Sequence, residues 1–197
     1  VKILGIMGSP RIKGNTDLLL DETLKGAQSE GAETEKIIVD KLNIAPCKEY
    51  YGCYRDGNCI IRDDMDNIYP KLLDADGLII ASPMFFYGVS AQLKALIDRC
   101  QALWARRYIL HTLPEKARKG VFIAVGATRG KRLFDGSILT IKYFFQALGV
   151  EYIGELLVRG VDQRGEIKQH PTALPDAFTL GKMLAQKVRE AKGLRLT

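Results

Sequence analysis

The chain has 197 residues, 47% of them hydrophobic and 26% charged, an ordinary globular composition. Its net charge of +6 is dispersed among acidic residues without a long Lys/Arg block, which argues against a nucleic-acid partner and leaves attraction of a small polyanion open. No apolar run approaches the ~20 residues of a membrane span, and the opening VKILGIMGSP is broken too soon for a secretory signal, so a cytoplasmic protein with reduced cysteines is expected.

Five apolar runs rich in branched residues read as strands. The first is KILGIMG at 2–8, followed by the loop GSPRIKGNT and a helix marked by Leu20, Leu24 and Ala27, with Gly31 as its stop. EKIIVD at 35–40 is the second. A long excursion follows, carrying a cysteine-bearing insertion at about 43–66. GLIIAS at 77–82 leads through SPMFFYGV into the helical SAQLKALIDRCQAL. VFIAVG at 121–126 leads into ILTIKYFFQALG. YIGELLV at 152–158 precedes a closing helix, DAFTLGKMLAQKVREAK.

Continuous rather than alternating apolar character predicts strands buried on both faces, as in a parallel sheet. The strand–helix alternation then predicts one α/β domain over 1–197, with ligands beyond the carboxyl ends of the strands.

Three loops fall at that edge. GSPRIKGNT joins a strand directly to a helix, so backbone amides and the helix N-terminus offer an anion site. Ser9, Asn15 and Thr16 add short donors, and Arg11 and Lys13 add charge. Neither G-x-x-x-x-G-K-[ST] nor G-x-G-x-x-G is present. After the third strand, Pro83 and Gly88 bracket Met84, Phe85, Phe86 and Tyr87, large apolar side chains, three of them rings, suited to a flat ligand or to a core plug or subunit contact. After the fourth, GATRGKRL offers Thr128 to a ligand edge and Arg129 to a developing negative charge, or forms an ordinary solvated loop.

Together, GSPRIKGNT and SPMFFYGVSAQLKALIDR resemble the NADPH-dependent FMN reductase superfamily of flavodoxin-like proteins. The excursion ending GNCIIRDDM resembles its iron–sulfur flavoprotein branch. The resemblance implies a flavodoxin-like three-layer sandwich with a central five-stranded parallel sheet of order 2-1-3-4-5 and tightly bound FMN. It places the FMN phosphate at Ser9, Arg11, Asn15 and Thr16, and the ring against Pro83, Met84, Phe85, Tyr87 and Gly88, with Gly126 and Thr128 on the ring's other side.

The resemblance also implies hydride taken from NAD(P)H and passed to a quinone, free flavin, nitro compound or metal ion. The alternative is an electron carrier serving a redox protein such as ferredoxin. A homodimer or homotetramer is expected. The flavin carries the redox chemistry, so no acid–base triad is expected. Neither His111 nor His170 sits in a catalytic pattern.

In the iron–sulfur branch the excursion carries four cysteines that ligate a [4Fe–4S] cluster. Here Cys47, Cys53 and Cys59 match and Tyr50 stands where the second would be. Three readings remain open: a three-cysteine cluster, loss of the cluster with the loop kept as structure, and thiol redox chemistry or another metal. The departure at Tyr50 favours the second. Cys100, separated by five residues from Arg106 in a C-x5-R spacing, reads as a buried helical thiol rather than part of a phosphatase loop.

Overall fold

The structure is a computed structural model and describes residues 1–193. Five strands, β1 (Lys2–Met7), β2 (Glu33–Ile38), β3 (Gly77–Pro83), β4 (Arg118–Gly126) and β5 (Val150–Arg159), form one parallel sheet of order β2-β1-β3-β4-β5. Helices α1 (Asn15–Ser29) and α7 (Ala173–Ala191) cover one face. Helices α3 (Met65–Asp74), α4 (Ala91–Arg99) and α6 (Asp135–Leu148) cover the other. This is the sandwich that the sequence resemblance implies, strand order included.

Strand alternation divides the core. Ile3 and Met7 point to α1 and α7, whereas Leu4 and Ile6 point to the opposite layer. The central β1, β3 and β4 are buried almost throughout, as continuous apolar runs require. The edge strands β2 and β5 are half-exposed, since each has a neighbour on one side only.

Two glycines set the spacing of the α1–α7 layer. A Cβ on Gly26 would stand 2.0 Å from the Phe178 carbonyl oxygen, and one on Gly181 would stand 1.8 Å from that of Thr23. The helices therefore cross with backbone against backbone, which any larger residue would push apart.

The stretch SAQLKALIDRCQAL is not one helix. It ends as α4 at Arg99 and restarts as α5 (Gln101–Tyr108), with Cys100 as the joint. The turn buries the Cys100 thiol in the core, and burial pushes its pKa up. His170 has a structural role: its Nδ1 accepts the Ala173 amide at 3.1 Å at the start of α7, while His111 is exposed.

Candidate active site

The loops after β1 and β3 are tied together beneath the ligand edge. Gly8 N donates to the Ala81 carbonyl at 2.7 Å, and the buried Ser90 hydroxyl donates to the Gly8 carbonyl at 2.5 Å. Ser90 also accepts the Leu93 amide as N-cap of α4, while its own amide donates to Ser82 Oγ. One short polar side chain thus positions both loops and starts a helix.

The first loop is compact. Arg11 N donates to Ser9 Oγ at 3.1 Å, Gly14 N to the Arg11 carbonyl at 3.0 Å, and Lys13 N to Asp17 Oδ2 at 2.7 Å. Lys13 has φ 57°, a left-handed conformation that a non-glycine residue holds only under external constraint. Helix α1 begins at Asn15 without a side-chain N-cap, so its first amides keep their partial positive charge available.

In the loop after β3, Phe85 and Gly88 exchange amide–carbonyl bonds of 3.0 and 2.9 Å across a two-residue turn. Phe86 and Tyr87 form that turn with φ of 48° and 63°, and its tip leaves Phe86 wholly exposed, with Phe85 and Tyr87 half-exposed. The Ser137 hydroxyl of α6 lies 3.3 Å from Met84 Sδ and 3.4 Å from the Tyr87 carbonyl, holding the turn from behind.

Ser9, Arg11, Asn15, Thr16, Pro83, Met84 and Phe85 line one cavity. Lys13, Tyr87, Gly88, Gly126 and Thr128 stand outside that lining. The Lys13 side chain is exposed, Tyr87 lies against Gly130 and Gly136, and Gly88 closes the turn. Gly126 is buried where a Cβ would meet Leu133 at 2.6 Å, and the exposed Thr128 accepts the Gly160 amide.

A fourth loop, after β5, was not identified from sequence. Val161 and Asp162 line the same cavity. Asn15 Nδ2 donates to the Gln163 carbonyl at 2.9 Å, Asn15 Oδ1 accepts the Ile167 amide, and Arg164 donates to the Ile12 carbonyl. The Asn15 amide is therefore a strap between loops. The signal was the polar, glycine-bearing RGVDQRG at a fifth carboxyl end, where the same topological rule applies.

The cysteine excursion hangs from a buried ion pair. Arg99, 1% exposed at the end of α4, meets Asp63 at 2.5 Å and donates to the Ala45 carbonyl at 2.9 Å and the Ile61 carbonyl at 3.1 Å. Both ends of the loop are thus clamped to one guanidinium. Burial pushes the Asp63 carboxyl up, but hydrogen bonds from Arg99 and from the Ala45 and Met65 amides outweigh it and hold its pKa below the usual range. Between the clamps is α2 (Cys53–Asp56), and Arg106 of α5 donates to the Gly57 carbonyl and to Asn58 Oδ1.

Cys47, Cys53 and Cys59 are free thiols lining a cavity of about 610 Å3 that Tyr50 also lines. Burial first, and then the neighbouring Cys59 and Cys47, push the Cys53 thiol up, opposite to the depressed value of a reactive thiolate. Among the described residues no three His, Cys, Asp or Glu side chains are placed to hold a single metal ion. Four donors converging on one zinc are therefore absent from this arrangement. A cubane takes thiolates on separate irons, and by chemistry the three cysteines are one short of its four ligands. Tyr51 and Gly52, φ 56° and −57°, are of opposite hand, the backbone pattern that gathers amides around anions and iron–sulfur groups.

A parallel 2-1-3-4-5 sheet with polar and aromatic loops gathered at its carboxyl edge defines a flavodoxin-like protein with its ligand edge there. Residues 1–136 match the family described as NADPH-dependent FMN reductase. An iron–sulfur flavoprotein of Methanocaldococcus jannaschii is 38% identical over 98% of this chain and 100% of its own. One from Archaeoglobus fulgidus is 41% identical over 70% of this chain and 69% of its own. Among solved structures, an NAD(P)H:quinone oxidoreductase from Methanothermobacter marburgensis superposes with TM-score 0.74 at 16% identity, covering 93% of this chain and 95% of that one. The chain belongs to the NADPH-dependent FMN reductase family and is an oxidoreductase.

Proposed function

We propose that this chain holds FMN across the four-loop edge, takes electrons from NAD(P)H and passes them to a small acceptor: a quinone, free flavin, nitro compound or metal ion. The observation that carries this reading is the single cavity shared by Ser9, Arg11, Asn15 and Thr16 with Pro83, Met84 and Phe85. Polar donors lie at one end and apolar surface at the other, as a phosphorylated flat cofactor requires. The cavity is about 100 Å3, below the size that encloses a whole cofactor, so it suits the phosphate end, with the ring over the exposed side of Met84 and Phe85.

When bound, FMN would supply the electron chemistry, accepting a hydride pair and releasing electrons to an acceptor. The protein's part is positional. Thr16, buried at the first turn of α1, and the Ser9 hydroxyl hold the phosphate together with the α1 amides. Arg11 and Lys13 balance its charge from the solvent side. The turn at 85–88 keeps ring-sized apolar surface at the edge, and its support by Ser137 fixes its height.

A second reading, an iron–sulfur flavoprotein relaying electrons between protein partners such as ferredoxin, is favoured by the three thiols on one cavity. In either reading the chain assembles as a homodimer or homotetramer, for which the exposed Phe86, Leu139 and Tyr143 supply apolar surface. Four unpaired cysteines suit a reducing, cytoplasmic setting. No helix of the described residues is long and apolar enough to cross a membrane.

Anaerobic reductive titration distinguishes the readings. The enzyme bleaches its flavin with NADPH or NADH and is reoxidised by a quinone. The carrier resists both nicotinamides and is reduced by ferredoxin.

A further inference from the structure

The cysteine loop presents three thiols where a cubane takes four protein ligands. Compact cluster motifs place cysteines at every third residue. Cys47 and Cys53 are six apart, and the residue midway is Tyr50. Tyr50 lines the same cavity as the three thiols, with 57% of its surface exposed to solvent.

The loop has not relaxed into a surface turn. Its ends are clamped by Arg99, its centre is held by Arg106, and Glu49 and Tyr51 keep left-handed φ values of 52° and 56° on either side of Tyr50. Such conformations persist where the surroundings enforce them. A loop kept only as packing needs neither left-handed residues on both sides of Tyr50 nor three cysteines lining one cavity.

The cavity, at about 610 Å3, lies within the range that receives a whole small molecule. Tyr51 and Ile60 give it apolar walls, and Lys48 brings a positive charge.

We infer that a [4Fe–4S] cluster in this loop is held by Cys47, Cys53 and Cys59 alone. Its fourth iron then has no protein thiolate and is open to a small exogenous ligand, a thiol or a carboxylate. The inference rests on the iron–sulfur reading of the loop and is independent of the flavin site. Tyr50 is a space-keeper beside that iron and not a ligand to it.

The test compares wild type, Tyr50→Cys and Tyr50→Phe after anaerobic reconstitution with ferrous iron and sulfide, with FMN content measured in parallel. One equivalent of ferricyanide, a one-electron oxidant, should convert the wild-type cluster to [3Fe–4S]+. One ferrous ion is released and ferrocyanide formed, and the product is read by its electron paramagnetic resonance signal and by iron analysis. Tyr50→Phe should behave identically, while Tyr50→Cys should retain all four irons and give no three-iron signal. Cyanide or 2-mercaptoethanol should alter the reduced-cluster signal of wild type and Tyr50→Phe, but not of Tyr50→Cys.

The inference is overturned if wild type retains four irons under ferricyanide as Tyr50→Cys does, or if Tyr50→Phe departs from wild type, which would make the phenolate a ligand. It is equally overturned if wild type takes up no iron and sulfide, whether or not Tyr50→Cys does. Normal FMN content in that case leaves the reductase reading standing, whereas absent FMN would remove that reading separately.

Discussion

Arg99 and Asp63, both buried, meet at 2.5 Å, and the same guanidinium binds the Ala45 and Ile61 carbonyls that bracket all three loop cysteines. Removing the carboxylate leaves a buried, unpaired cation. Asp63→Ala should cost about 3–5 kcal/mol, the usual penalty for breaking a buried pair from one side. Replacing both partners with apolar residues should recover part of that stability but not the loop, because the two carbonyls lose their donor. Urea denaturation reads the first effect. Amide exchange at 45–61, faster in the double variant than in wild type, reads the second.

At the first loop, Thr16 is the cleanest phosphate probe. Thr16→Ala should weaken FMN retention about 10- to 100-fold, the value of one hydrogen bond to a charged acceptor, while leaving the melting temperature of the flavin-free protein nearly unchanged. Asn15→Ala should do the reverse: its amide bridges to Gln163 and Ile167, so the β5 loop loosens and stability falls. Equilibrium FMN titration together with thermal denaturation separates the two.

The glycine crossing predicts a purely structural defect. Gly181→Ala places a methyl group 1.8 Å from the Thr23 carbonyl, so α1 and α7 must separate. The expected loss is about 2–3 kcal/mol, a drop of roughly 4–12 °C in a chain of this size. Calorimetry checks it.

Acid stability should depend on Asp76. Its carboxyl is 5% exposed and pairs with Lys116 and Lys192, while accepting the Lys2 amide. Burial raises its pKa, but these partners outweigh burial and bring it down to about 2. A depressed carboxylate contributes stability above the unfolded-state value near 4, and that stability is lost as pH falls toward about 2. The contribution is about 2 kcal/mol. Urea midpoints should therefore fall between pH 4 and 2 in wild type, and Asp76→Asn should be less stable at neutral pH with a flatter acid limb.

Much of this was legible in the residues. Branched apolar runs such as GLIIAS mark central strands because both their faces are buried, and the loops at 8–16 and 83–88 lie together at the carboxyl edge where the strand–helix alternation puts them. The rest depended on distant partners. Gly26 and Gly181 look like weak points within helical patterns until their carbonyl neighbours are seen. Asn15 reads as a phosphate donor because its partners are about 150 residues away. Arg99 resembles any basic residue at a helix end, and only the fold brings Asp63, Ala45 and Ile61 to it. Cys100 sits in continuous helical spacing, yet burying its thiol accompanies a break that periodicity does not register.

The most direct measurement is the visible spectrum of anaerobically purified protein, loaded with FMN and titrated with NADPH. Flavin absorbance should be close to one FMN per chain, and bleaching should be complete near one equivalent of NADPH, with colour restored by a quinone. A chain that retains no FMN after loading, or a flavin that neither nicotinamide bleaches, would overturn the FMN reductase reading.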